Sequence, residues 1–165
     1  MKPKKIGDQK LNADEQLQKF EEALSKYIDG KSLNPVQFKE EFVYAANLTD
    51  ESMSMFTAEE CVKQAYLLNG YSNYLQSEYN DNVVKLNFAK DNIRKIVASE
   101  SHRFDKYTKH EMKEQHVVNE NSFANRLDVM RKHAQARVDA MQDTIRDVRR
   151  MADCLMELSK RKQYS

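Results

Sequence analysis

Positions that are mostly apolar recur along this chain at spacings of three and four, and in two stretches no proline interrupts them. The first stripe takes in Cys61, Ala65, Leu68, Ser72, Leu75, Tyr79, Asn82, Leu86, Ala89, Ile93, Ile96, Glu100, Arg103 and Tyr107. That alternation puts one residue per turn on a single helical face. It predicts a helix from about residue 58 to 108, on the order of 75 Å long at about 1.5 Å per residue. Gly70 lies inside it, costs about 1 kcal/mol relative to Ala and marks a place for a kink. Asn82 falls on the seam, where a buried amide can fix register. The second stripe is Phe123, Leu127, Met130, Ala134, Val138, Met141, Ile145, Val148, Ala152 and Leu155. Between Thr108 and Asn121 the pattern dissolves. Asn119, Asn121 and Ser122 are cap or turn formers there, and Val117-Val118 is compatible with an extended segment. Two long helices joined by a short connection predict an all-α fold, an antiparallel coiled-coil helical hairpin.

Shorter elements precede the hairpin. Asn12 and Glu15 have the spacing of a capping box, and Leu17, Phe20, Leu24, Tyr27 and Ile28 follow on one helical face. Gly30 is the expected stop, because glycine takes the left-handed C′ conformation without steric cost. Asn34-Pro35-Val36-Gln37 predicts a second, short helix ending near Leu48, with Asn34 as cap and Pro35 in the first position. The segment 49–56 reads as a loop, and Thr57 with Glu60 forms another box opening the long helix. The organisation expected is an N-terminal helical region, 1–56, followed by the hairpin, 57–165.

Composition narrows this further. The chain has 165 residues, of which 40% are hydrophobic and 32% charged, with only three Gly and two Pro. Narrow apolar seams with little turn chemistry suit long helices completed by a hairpin partner or by other subunits, so a homo-oligomer is expected. Net charge is only +1, but residues 1–60 hold 8 basic and 12 acidic side chains, and residues 126–165 hold 10 and 6. An acidic front and a basic C-terminal arm result. The sequence has no secretory signal and no apolar run long enough to span a membrane. The expected place is the cytoplasm, that of a host cell if the gene is phage-borne. Cys61 and Cys154 lie on or beside an apolar stripe and read as small buried hydrophobes.

Catalytic chemistry finds no foothold. His110 and His116 are six apart, and paired zinc ligands on a helix need i, i+4. Gly7, Gly30 and Gly70 are too scattered for a phosphate-binding loop. No enzyme activity, metal or cofactor is therefore expected. Two binding surfaces stand out instead. Arg103, Lys106, Tyr107, Lys109 and Lys113 interleave cations with an aromatic at the expected hairpin tip, joined by Phe104. Basic groups that follow phosphates and aromatic faces that stack bases hold single strands. Arg126, Arg131, Lys132, Arg137, Arg146, Arg149 and Arg150 make the last helix basic, although Asp128, Asp139, Asp143 and Asp147 are interleaved with them. Lys160-Arg161-Lys162 reads either as an anion-binding end or as a frayed tail that complements the C-terminus of the last helix. Tyr66, Tyr71, Tyr74 and Tyr79 are the second surface, a candidate protein interface.

A central helix carrying Tyr71, Ser72 and Tyr74, a basic Tyr-containing turn, Glu111-Met112-Lys113 and a last long basic helix together resemble phage recombination mediators of the UvsY type. The resemblance covers roughly residues 61–163. It lacks a counterpart for residues 1–56, and Trp is absent where the family pattern tends to carry one. It implies an oligomeric helical protein that binds single-stranded DNA and loads a recombinase, with contacts on Arg103, Lys106, Tyr107, Lys109 and Lys113. Basic Arg131 and Lys132 are added as nucleic-acid candidates from the last helix. The rival expectation is a coiled-coil adaptor that holds a host protein and has no affinity for nucleic acid.

Overall fold

A computed structural model describes residues 12–31 and 36–164. The fold is all-α. Six α-helices and one 3-10 turn are present, with no strand among the described residues. The helices are α1 (Ala13–Lys31), α2 (Glu40–Ala46), α3 (Asp50–Met55), α4 (Ala58–Ser99), α5 (His110–Glu120) and α6 (Ser122–Gln163). They form two compact units. The first contains α1, α4 from Lys85 onward, α5 and α6 up to His133. The second contains α2, α3, α4 up to Val84 and α6 from Ala134.

In the first unit, α1 opens on the expected capping box. The Glu15 N–H donates to Asn12 Oδ1 at 2.8 Å, and the Asn12 N–H donates to Glu15 Oε2 at 3.1 Å. Leu17 and Phe20 then pack on a core of Ile93, Val97, Val117, Val118, Ala124 and Leu127. The Tyr27 ring lies 5.1 Å from Phe88. Gly30 does not stop this helix, which continues to Lys31, and no described glycine has a positive φ. The Asn34–Pro35 cap lies outside the described residues.

The tip differs from the sequence expectation in two ways. Helix α4 stops at Ser99 rather than near 108, and Ser101–Arg103 forms the 3-10 turn. Glu100 leaves the helix (φ −96, ψ 3), and its carboxylate accepts from Arg103 Nη1 at 2.7 Å and from Asn121 Nδ2 at 3.3 Å. The polar seam positions Glu100, Arg103 and Tyr107 offer little apolar surface to bury, so nothing rewards a longer helix. The connection itself folds into α5, where Val117 and Val118 are buried helical residues rather than an extended pair. Asn121 separates α5 from α6, and its Oδ1 accepts from the Ala124 N–H at 3.0 Å.

In the second unit the Thr57 box is formed. Thr57 Oγ1 accepts from the Glu60 N–H at 3.2 Å, and Glu60 Oε2 accepts from the Thr57 N–H at 2.7 Å. That backbone bond, with the Thr57 hydroxyl, holds the Glu60 carboxyl below its ordinary value. The preceding segment is helix α3 rather than a loop, opened by a box between Thr49 and Ser52. Helix α2 begins at Glu40, later than expected, and residues 36–39 are not helical. Here α4 and α6 run in opposite directions. The Ser159 hydroxyl donates to the Ala58 carbonyl at 2.9 Å, Arg149 Nε to Ser72 Oγ at 2.9 Å, and Arg137 to Glu78 at 3.3 Å. Between them lies a core of Cys61, Ala65, Leu68, Leu75, Ile145, Val148, Ala152 and Leu155, joined by Ala45 of α2. Asn82 is buried on the seam, and its amide donates to the Glu78 carbonyl at 2.7 Å. Cys61 is buried as expected, whereas Cys154 is exposed and faces away from this core.

Helix α4 is continuous through Gly70, and the glycine serves a close approach instead of a break. A Cβ there would stand 3.0 Å from Phe42 Cε1 and 3.2 Å from Cζ. The Phe42 ring sits 5.8 Å from Tyr71, so the missing methyl is what lets α2 lay its aromatic on α4.

Candidate nucleic-acid interface

Residues 104–109 form the exposed connection between the 3-10 turn and α5. The two aromatics of this connection part ways. Phe104 turns inward, half-buried against the first-unit core, with its ring 6.1 Å from His116. Tyr107 turns outward and is 81% exposed. A short turn holds it there. The Tyr107 N–H donates to Asp105 Oδ1 at 2.8 Å, and the Thr108 N–H donates to the Asp105 carbonyl at 3.0 Å. Aspartate favours this geometry because its side chain can mimic a backbone turn. Lys106 Nζ lies over the Tyr107 ring, 4.8 Å from its centroid, a cation–π contact. Lys109 precedes α5 and is exposed, and Lys113 lies one turn into it, half-buried. Among the described residues no carboxylate forms an ion pair with Lys106, Lys109 or Lys113.

The arginines near the tip are committed differently. Arg103 bridges Glu100 at 2.7 Å and Glu120 at 2.5 Å, and those hydrogen bonds raise its pKa further above its ordinary value. Arg131 pairs with Glu114 at 2.5 Å and with Asp128. Lys132 also pairs with Asp128, at 2.8 Å. Burial pushes the Asp128 carboxyl up, but Lys132 and Arg131 outweigh it and hold the group below its ordinary value. Arg131, Lys132 and Asp128 line a shallow cavity of about 280 Å³ together with Glu111 and Glu114. Three carboxylates against two cations make that cavity unsuited to phosphate. Arg103 and Arg131 thus tie α5 to its neighbours, and at the tip the cations without an ion pair among the described residues are Lys106, Lys109 and Lys113. Sequence spacing could not separate the two groups, because the Arg103–Glu120 and Arg131–Glu114 pairs each join residues 17 apart.

The tyrosines also divide. Tyr71 and Tyr74 are half-buried in an aromatic cluster with Phe38 and Phe42, with Tyr74 5.4 Å from Phe38. Burial, with Glu78 nearby, raises the Tyr74 phenol. Tyr79 packs against the second-unit core. Tyr66 alone projects, 77% exposed. Other arginines of α6 are spread over both units. Arg126 pairs with Asp14 at 2.6 Å in the first, while Arg137, Arg146, Arg149 and Arg150 belong to the second. Among the described residues no group of three or more His, Cys, Asp or Glu side chains could hold a metal ion, and no helix is long and apolar enough to cross a membrane. No family model, curated protein or solved structure matches the chain.

Proposed function

We propose that this protein is a non-enzymatic, oligomeric helical protein that binds single-stranded nucleic acid. In the reading its sequence resemblance favours, it is a phage recombination mediator that loads a recombinase onto DNA. One observation carries this proposal. The tip presents an exposed aromatic, Tyr107, with Lys106 against its ring and Lys109 and Lys113 following, and among the described residues none of the three lysines forms an ion pair with a carboxylate. Lysines supply the salt-sensitive attraction to phosphates, and an exposed ring offers a base a stacking partner. Titrating a labelled oligo-dT strand with the full chain tests it. Binding should weaken with salt, and K106Q/K109Q/K113Q should make the slope of log K against log salt shallower by roughly 2, at about 0.7 per phosphate contact. Tyr107→Ala should weaken binding about fivefold or more with the slope unchanged, since stacking is worth about 1–3 kcal/mol per base. No binding at low salt would sink the proposal.

A second reading, a protein-holding adaptor, is favoured by a different surface. Residues 40–62 contain six acidic and no basic side chains. Exposed Tyr44, Met55 (79% exposed) and nearby Tyr66 lie in or beside that stretch. Such a surface suits a cationic, partly apolar protein segment. This reading predicts no affinity for oligo-dT and loss of partner capture in Y44A/Y66A.

A further inference from the structure

We infer that an open groove in the second unit, lined by Arg146, Arg149 and Arg150, binds the phosphodiester backbone of a nucleic-acid strand as a second contact besides the tip. This rests on the nucleic-acid reading above. The groove has a volume of about 430 Å³, and Gln76 and Tyr79 of α4 form its other wall. Arg149 is its fixed point. Its Nε donates to the hydroxyl of Ser72, a fully buried residue, at 2.9 Å, and Nη2 donates to Gln76 Oε1 at 3.4 Å. Both partners are neutral. The guanidinium is therefore held in place without being neutralised, and its remaining N–H donors keep their full charge. Planar guanidinium forks match the oxygens of a phosphate in pairs.

Arg146 and Arg150 flank it, four residues and hence one helical turn apart, about 6 Å along the axis. They present repeated cations in a row, which suits repeated phosphates better than a single anion. Their acidic neighbours are Asp143, at 2.9 Å from Arg146, and Asp147, at 3.7 Å from Arg146 and 3.9 Å from Arg150. These exposed pairs within one helix are weak and exchangeable. Asp153 is the one carboxylate in the lining itself, and Asp143 and Asp147 pair with Arg146 and Arg150 from outside it, so Arg149 is the groove cation with no carboxylate partner among the described residues. Tyr79 adds an aromatic wall against which a base can rest.

The test uses the full chain and a labelled oligo-dT strand. The variant R146Q/R150Q alters only exposed side chains and should keep the helical circular dichroism of the wild type. It should bind about tenfold more weakly at low salt, with a salt slope shallower by roughly 1.4. Combined with K106Q/K109Q/K113Q, it should remove most of the remaining salt dependence. If wild type binds and R146Q/R150Q matches it in affinity and slope, the groove assignment is overturned while the tip reading stands. If wild type does not bind, both fall. Inorganic tripolyphosphate separates a strand from a small anion. Saturable tripolyphosphate binding that R146Q/R150Q abolishes, with strand affinity unchanged, would overturn the assignment to a strand.

Discussion

Asp128, on α6, is a buried carboxylate of the first unit that holds two cations, Arg131 and Lys132. Its folded pKa lies below the ordinary value of 3.8. The contribution to stability is therefore complete above that value and is lost as pH falls through the lower folded one. Asp128→Asn should cost about 1–3 kcal/mol at neutral pH. The difference from wild type should shrink in urea titrations carried down through pH 3. Gly70 offers a sharper test, because two effects of opposite sign meet there. Alanine would gain about 1 kcal/mol of helix propensity, but its Cβ would press on the buried Phe42 ring. Gly70→Ala alone should change stability by less than about 1 kcal/mol, the propensity gain being offset. Phe42→Ala should cost about 3 kcal/mol or more. In the F42A background, Gly70→Ala should stabilise by about 1 kcal/mol, more than it does alone, a coupling that a double-mutant cycle would read directly.

At the scale of elements, legibility in the sequence followed the range of the interaction. The boxes at Asn12–Glu15 and Thr57–Glu60 are local and were readable from spacing alone, as were the two apolar stripes, whose members up to Ile96 and from Phe123 to Leu155 are buried or half-buried. Helix α3 escaped because its box, Thr49 with Ser52, uses a serine where the usual pattern has Glu or Gln. Helix α5 escaped because its apolar periodicity reduces to Val117 and Val118, and its support comes from Arg131 and Arg103 at a distance. Gly30 lies one residue before the last described residue of α1 and does not take the left-handed conformation its position suggested. Lys162 has an element-scale role that no local pattern announces. Its ammonium donates to the carbonyls of Met53 at 3.0 Å, Ser54 at 2.9 Å and Phe56, at the C-terminal end of α3. A cation there satisfies carbonyls that lack helical partners. Lys162→Met should cost about 1–3 kcal/mol and should lower hydrogen-exchange protection in α3 more than in α1.

For the whole molecule, charge polarity along the chain was visible at once, but which cations stay available was not. The sequence offered Arg103, Arg131 and Lys132 on equal terms with Lys106, Lys109 and Lys113. Lys132 is held by Asp128 one turn away on the same helix. For Arg103 and Arg131, ion pairs to Glu120 and Glu114 set them apart, and those pairs depend on packing that spacing does not encode. The groove at Arg146, Arg149 and Arg150 was hidden for the same reason, since Ser72 reaches Arg149 only once α4 and α6 meet.

The bond from Lys162 to α3 also sets an order of events during synthesis. A ribosome delivers the chain N-terminus first, at about 5–20 residues per second. The carbonyls of residues 53–56 emerge long before the ammonium that serves them, which lies 106 to 109 positions later. Until then Cys61, Ala65 and Leu68 also lack Leu155 and Ala152 as cover. A nascent chain arrested before residue 140 should be cut readily between 40 and 60 by added protease, while the released protein resists. The early part of this chain is thus a waiting surface, open to chaperones for most of its own translation.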